Sequence, residues 1–298
     1  MTKSDMVGFG WKQKPAAYAK VYDHLDETYH HFYSKSAARL CQLARLQPGQ
    51  TVIDLGCGTG TSTAVFWKAI SPSGHLFAID PSEAMLSCAR EKLSQNKRIQ
   101  WMCEDGYNIL SLCQQLNLLG KIDCVLSSWT YYYLYEDREQ LHRDIHTLLR
   151  PGGKWAFNIT TCTSPIECGG ETYNQFSRIY DFTLNRVLRE KGYQPDAGRT
   201  TYDPQFHSPE PNRIMLSRVG FASVETEAWP LPLSPSEAHA FLLEGFVRHG
   251  AKPVFSKTLE SLSIPKRVQL LEETLSSCSN ELNATGEVPH ILNVWAVK

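Results

Sequence analysis

The sequence predicts an α/β fold: a doubly wound, seven-stranded, mostly parallel sheet with helical insertions. Three observations point there. Thr51 to Gly60, TVIDLGCGTG, reads as a strand, a glycine turn and a helix start. Four further apolar runs come after it, with helical stretches between them, the pattern of a parallel sheet. Two later runs, Phe221 to Trp229 and Pro289 to Val297, complete the sheet. The chain of 298 residues is 42% hydrophobic and 20% charged, ordinary for one large globular domain or a domain with insertions.

Each element arises from local chemistry. Residues 1–14 are polar and glycine-bearing. Pro15 to Tyr33 reads as one helix, because Tyr18, Val21, Tyr22, Leu25, Tyr29, Phe32 and Tyr33 recur at helical spacing. Ser36 to Leu46 is a second helix, closed by the turn Gln47-Pro48-Gly49-Gln50. Val52 and Ile53 are a β-branched strand end, Asp54 comes next, and Gly56, Gly58 and Gly60 alternate after it. Thr61, Ser62 and Thr63 supply N-cap chemistry for a helix from Ala64 to Ile70. Leu76 to Ile79 is a strand ending at Asp80, and Ser82 caps the helix Pro81 to Leu93. Ile99 to Cys103 ends in Glu104-Asp105-Gly106, before a helix from Ile109 to Leu119. Ile122 to Leu126 runs into Ser127-Ser128-Trp129. Arg138 to Leu149 is helical, and Lys154 to Ile159 is the fifth strand.

Two long segments interrupt the remainder of the chain. Residues 161–213 hold a helical pattern, Tyr173 to Glu190, and a loop, Gly192 to Pro211. Ile214 to Val219 reads as a short helix with Gly220 as its C-cap. Residues 231–288 are helical around Ser236 to His249 and Lys266 to Cys278. Structureless loops of this length are improbable in a compact domain, so both segments are expected to form a lid shaping a substrate pocket. The expected organisation is a single domain, with core 36–160, 214–230 and 289–298, a helical cover 1–35, and lid insertions 161–213 and 231–288.

Charge decides the ligand. Glycines let backbone approach a ligand where a Cβ would collide, and the ligand of such a sheet sits at the carboxyl edge of the strands. A dinucleotide site presents GxGxxG to a pyrophosphate. Here the spacing is GxGxG, and Asp54 stands two residues before Gly56, where it would repel a pyrophosphate and favour a cationic ligand. S-adenosylmethionine, with an ammonium, a sulfonium and no phosphate, fits. Asp80 lies roughly 20 residues past the glycine turn, where an acid bonds a ribose diol; that spacing alone leaves NAD open as well.

The pieces VIDLGCGTG, AIDPSEAML, CEDG, IDCVLSS and LLRPGGKWAFNI occur in order between Leu40 and Thr160. With them the chain resembles the class I S-adenosylmethionine-dependent methyltransferases, especially the small-molecule branch that includes ubiquinone- and menaquinone-biosynthesis enzymes. The resemblance implies a Rossmann-like fold and places the cofactor against Asp54, Gly56, Cys57, Gly58, Gly60, Asp80, Pro81, Met85, Asp105, Gly106, Ser127 and Ser128. It implies that Asp80 holds the ribose, Asp105 accepts from the adenine amine, and Met85 touches the adenine face. Asp54, Gly56 and the Ser127–Ser128 backbone would surround the methionine part. An N-terminal segment covers the cofactor in such enzymes, and Tyr22 and Tyr29 are the candidates for that cover.

The aromatic run Trp129 to Tyr135 comes after the fourth strand and suggests a flat, apolar or cationic substrate wall. Trp129, Tyr131 and Tyr132, with Tyr173, Phe176, Tyr180, Phe241 and Phe246 of the insertions, are the expected substrate-binding residues. They imply a mostly apolar, ring-bearing small molecule. Whether nitrogen, oxygen or carbon receives the methyl group is not read from them. His207 and His249 are candidate bases, with a solvated role the alternative for each. A second function class stays open, a catalytically silent S-adenosylmethionine-binding module that activates a partner; release of S-adenosylhomocysteine separates the two.

Net charge is −1, without a long basic run, which disfavours a nucleic-acid substrate. Nine scattered cysteines without a CxxC pair suggest reduced thiols. Cys57, Cys88, Cys103 and Cys124 fall in expected core elements. His24, His30 and His31 lack a ligand cluster, and His142 and His146 form HRDIH rather than HExxH, so these are expected to be surface residues and no metal is expected. No apolar run is long enough for a membrane span, and a cytoplasmic protein is expected.

Overall fold

The computed structural model describes residues 15–134, 137–160, 175–195, 207–242, 257–286, 288 and 290–298. In chain order the first elements are α1 (Pro15–Thr28), α2 (Phe32–Ala44), β1 (Thr51–Leu55), α3 (Thr61–Ile70), β2 (His75–Asp80) and α4 (Glu83–Lys92). Next come β3 (Ile99–Cys103), α5 (Ile109–Gln115), β4 (Ile122–Ser127), α6 (Arg138–Leu148) and β5 (Leu149–Thr160). The last are α7 (Gln175–Glu190), α8 (Pro209–Val219), β6 (Ser223–Pro230), α9 (Pro235–Leu242), α10 (Lys257–Glu260), α11 (Ile264–Thr285) and β7 (His290–Val297).

The chain divides into two compact units. The sheet unit comprises His31–Thr160, Ser208–Trp229 and Ile291–Lys298; the other comprises Met1–His30, Thr161–His207 and Pro230–His290. Strand order in the 7-stranded sheet is β3-β2-β1-β4-β5-β7-β6. β1 pairs in parallel with β2 and β4, β2 with β3, and β4 with β5, while β7 runs antiparallel to β5. The order reverses between β1 and β4, and such a switch point opens a ligand crevice at the carboxyl ends of the strands.

Successive residues of β1 serve opposite layers, as strand pleating requires. Val52 joins Leu40, Phe66, Ile70 and Leu76 in one cluster. Ile53 joins Phe77, Ile109, Val125, Ile145 and Phe157 in the other. Burial on both faces explains why β1 and β4 read as continuous apolar runs.

Several boundaries differ from expectation. The helix expected over 15–33 breaks between α1 and α2, where His30 (φ 57) and His31 (φ 55) are left-handed; a right-handed helix does not continue through such a pair. α8 begins at Pro209, five residues before Ile214. Cys57 and Cys124 are buried as expected. Cys88 is half-buried and Cys103 exposed, the latter ending the edge strand β3, where one side has no neighbour.

His142, expected at the surface, is fully buried on α6, and His146 is half-buried. Tyr131, expected to meet substrate, is a core residue with no exposure. The two meet: Tyr131 Oη and His142 Nε2 lie 2.8 Å apart, and Trp155 Nε1 donates to His142 Nδ1 at 3.0 Å. An indole N–H only donates, so Nδ1 accepts and the ring proton sits on Nε2, donated to Tyr131. Tyr131 also packs on Phe157, ring centroids 3.9 Å apart.

In the second unit, α7 packs along α11. Leu184, Val187 and Leu188 of α7, with Leu270, Leu275 and Leu282 of α11, are buried, and Lys191 pairs with Glu273 at 2.8 Å. Phe241 on α9 meets Tyr29 edge to face at 5.8 Å, beside a 2.5 Å contact between His30 Nε2 and Glu237 Oε1.

Burial holds the His142 imidazole down to about 3, with Arg138 adding to the effect. In the unfolded chain the ring takes its proton near pH 6.5. Between those values the unfolded state binds more protons, so His142 contributes stability that is present above pH 6.5 and lost as pH falls towards 3. A His142→Gln variant is expected to show a flatter acid limb in denaturant titrations across that window. An unchanged slope contradicts the assignment. His142→Ala, which strands the Trp155 donor and removes the hydrogen bond to Tyr131 Oη, should cost about 2–4 kcal/mol at neutral pH.

Candidate active site

The site is built where β1, β2 and β4 end. After Leu55 the chain turns, and the Gly56 and Cys57 N–H groups donate to Ile79 O at 2.8 and 3.0 Å. Gly58 N–H donates to Asp80 Oδ2 and Ser82 N–H to Asp80 Oδ1, both at 2.9 Å. One carboxylate thus ties the turn after β1 to the turn after β2. Burial raises the pKa of Asp80, and the two N–H groups work against that rise.

The three glycines are all left-handed (φ 79, 53 and 83), for different reasons. A Cβ on Gly56 would lie 2.0 Å from Thr130 Cγ2, and one on Gly60 would lie 3.0 Å from Ala89 Cβ. Both are close approaches of backbone to neighbouring structure. Gly58 has nothing within 4 Å of its Cβ position. Its open flank is a cradle that a side chain would fill, as a ligand site requires.

Asp54 is fully buried rather than standing at the mouth of the site. Its Oδ2 accepts from Ser62 Oγ at 2.9 Å and Thr63 Oγ1 at 2.7 Å. Those hydroxyls were expected to cap α3. Instead Gly60 is the N-cap, without a side-chain bond, because the buried acid claims the donors. Asp54 Oδ1 is buried with no partner among the described residues. Burial pushes the carboxyl up to about 7, the two hydroxyls hold it down, and Asp80 adds to the rise.

The loop after β4 closes the other side. Thr130 Oγ1 donates to Gly56 O at 2.9 Å. Trp129 takes φ 58, and its backbone N–H donates to Asn158 Oδ1 at 2.7 Å. Asn158 Nδ2 reaches Ser128 Oγ at 3.5 Å. Ser127 Oγ and Trp129 Nε1 are buried and unpartnered among the described residues. Asn158 and Thr130 are site residues that sequence patterns alone did not mark. The available signal for Asn158 was a lone amide inside the apolar strand β5, since a buried amide needs partners.

Asp105 is exposed and its Oδ1 accepts from Tyr107 N–H at 3.1 Å, capping the short 3-10 turn Gly106–Asn108. Met85 is buried and Pro81 exposed at the start of α4. Tyr22 and Tyr29 belong to the second unit, half-buried and buried respectively. His207, expected to be solvated if not a base, is buried. Tyr173, Phe246 and His249 lie outside the described residues, as do the side chains of Tyr132, Phe176 and Tyr180. Among the described residues no group of three or more side chains is arranged to hold a metal, and no helix is long and apolar enough to cross a membrane.

Fold and turn together define a nucleotide-type ligand site at a sheet switch point. The family model described as a methyltransferase domain matches residues 52–153. A carboxy-S-adenosyl-L-methionine synthase of Trichodesmium erythraeum is 30% identical over 190 residues, 61% of this chain and 70% of that protein. A malonyl-[acyl-carrier protein] O-methyltransferase of Marinomonas is 24% identical over 263 residues, 85% of this chain and 90% of that protein. A ubiquinone/menaquinone biosynthesis C-methyltransferase of Vibrio cholerae is 30% identical over 153 residues; the match spans 51% of this chain and only 53% of that relative. The YcgJ protein of Bacillus subtilis shares the fold at a TM-score of 0.55 and 14% identity, over 89% of this chain and 98% of that one.

The chain belongs to the class I S-adenosylmethionine-dependent methyltransferases. Its cofactor is S-adenosylmethionine, and the residues present fit that group: an open flank at Gly58, a stranded Asp54 oxygen for a cation, and no phosphate-binding GxGxxG.

The raised pKa of Asp54 has a stability consequence. The native state holds this proton between pH 3.8 and about 7, where the unfolded state has released it. The contribution is therefore full below pH 3.8 and lost as pH rises through 7. Asp54→Asn should stabilise the free protein at pH 8, by on the order of 3 kcal/mol, while weakening S-adenosylhomocysteine binding. Thermal melts and calorimetry check both; a variant that melts lower and binds normally contradicts this account of Asp54. Asp80→Ala should weaken the same ligand by roughly 10- to 100-fold through loss of charge-assisted hydrogen bonds.

Proposed function

We propose that this enzyme transfers the methyl group of S-adenosylmethionine to a mostly apolar, ring-bearing small molecule in the cytoplasm. The observation that carries the reading is the aromatic cluster at the carboxyl edge of β4. Trp129 meets Phe32 at 5.5 Å and Tyr33 at 5.3 Å, each edge to face. Such a surface suits an apolar ring. The net charge of −1 supports a small-molecule rather than a polynucleotide acceptor.

In this reading Asp80 holds the ribose, Asp105 the adenine amine, and Asp54, Gly56 and the Ser127–Ser128 backbone the methionine part. Bound S-adenosylmethionine supplies a methyl group already activated by its sulfonium. The chain's own task is alignment and exclusion of water, effects that supply much of a rate on their own. The Thr130–Gly56 and Trp129–Asn158 bonds serve that task by fixing the post-β4 loop against the glycine turn.

Incubation with S-adenosylmethionine and a metabolite extract should release S-adenosylhomocysteine and raise an apolar metabolite by the mass of one methylene. Cofactor binding without any release supports the silent-module reading instead. Trp129→Ala should then raise the acceptor KM roughly tenfold or more, the scale of one lost aromatic contact, with cofactor affinity nearly intact. A large drop in melting temperature with parallel loss of cofactor binding would make Trp129 a core residue.

A further inference from the structure

We infer that the indole N–H of Trp129 is the polar anchor of the acceptor site, donating a hydrogen bond to an oxygen carried beside the acceptor's ring. The inference rests on the proposed ring-bearing acceptor and adds the polar group that this acceptor presents.

Trp129 is a bulky residue at φ 58, a left-handed conformation such residues rarely adopt. Backbone outliers of this kind gather where a side chain must be held in one place for function. Asn158, itself buried, holds this one: its Oδ1 accepts the Trp129 backbone N–H at 2.7 Å. Phe32 and Tyr33 fix the ring, each at an interplanar angle of 86°. The indole is thus secured by its backbone and by two neighbouring rings.

Its one polar atom is nevertheless unused. Trp129 Nε1 is buried with no partner among the described residues. An indole nitrogen only donates, and native structures leave few buried donors unsatisfied. Of its neighbours, Thr130 Oγ1 bonds Gly56 O and the Asn158 amide bonds Trp129 and Ser128, while Ser127 Oγ is, like the indole, unpartnered among the described residues. An aromatic surface carrying an unpartnered indole donor matches a ligand that is apolar except for an accepting oxygen. The cofactor's carboxylate is the rival claimant. It is the weaker match, because the acids Asp54 and Asp80 at the same sheet edge repel it.

The test uses two probes of nearly equal shape, 2-acetylnaphthalene and 2-ethylnaphthalene, of which only the first has an accepting oxygen. Each is titrated into the full chain saturated with S-adenosylhomocysteine and labelled with 15N at its indoles. The Trp129 resonance is assigned by its absence in Trp129→Phe. The acetyl probe should bind roughly tenfold more tightly, the scale of one hydrogen bond to a buried donor. It should move the Trp129 indole proton downfield, and the preference should vanish in Trp129→Phe. Equal affinities with an unmoved resonance overturn the anchor and leave the aromatic acceptor site standing. A downfield shift on S-adenosylhomocysteine alone assigns the donor to the cofactor and also overturns it. Failure of both probes to bind removes the proposed acceptor class, and the anchor with it. The affinity ratio on the unaltered protein needs no variant to fold.

Discussion

The Asp80 carboxylate is the tie on which the site depends. Each oxygen accepts one backbone N–H, Gly58 on one side and Ser82 on the other. The first bond fixes the apex of the glycine turn, the second the entry to α4. Without that acceptor the half-buried Gly58 N–H would lose its partner, and the turn would keep only the Gly56 and Cys57 bonds to Ile79 O across to β2. A carboxylate accepting two backbone donors keeps further lone pairs, so the side chain that builds the cradle retains acceptor capacity. The same double use appears across the crevice, where Thr130 fills the space Gly56 leaves and bonds its carbonyl.

Asp54 is the complementary element, a carboxyl group held inside the fold at a cost in stability. A buried carboxylate with one satisfied oxygen raises the free energy of the empty protein. A cation brought to the stranded oxygen relieves it. Read from sequence, Asp54 stands at the mouth of the site; in the fold it lies inside the sheet edge, with Ser62 and Thr63 orienting it.

The features legible in the sequence were local. The strand–GxGxG–helix stretch, the acid at the end of β2 and the order of the strands come from apolar runs and glycine spacing over a few residues. The features that escaped depend on competition between distant partners. Ser62 and Thr63 have the chemistry of caps, and only the fold shows Asp54 taking their hydroxyls. His142 looked like a surface residue because its partners, Tyr131 and Trp155, come from a loop and a strand outside its helix. Tyr131 looked like part of a substrate wall because aromatic composition does not say which rings of a run turn inward. The break at His30 and His31 was hidden because the apolar periodicity continues across it into Phe32 and Tyr33.

The proposed function sets a buried acid beside the glycine turn against a cationic S-adenosyl ligand, and on that pairing the rest of the proposed chemistry turns. Calorimetry of S-adenosylmethionine binding near pH 7, in two buffers of different ionisation enthalpy, tests it most directly. Binding should be accompanied by release of a proton, as Asp54 ionises opposite the sulfonium and ammonium, with no heat from NAD. Binding of NAD in place of S-adenosylmethionine, or S-adenosylmethionine binding with uptake of a proton, would contradict it.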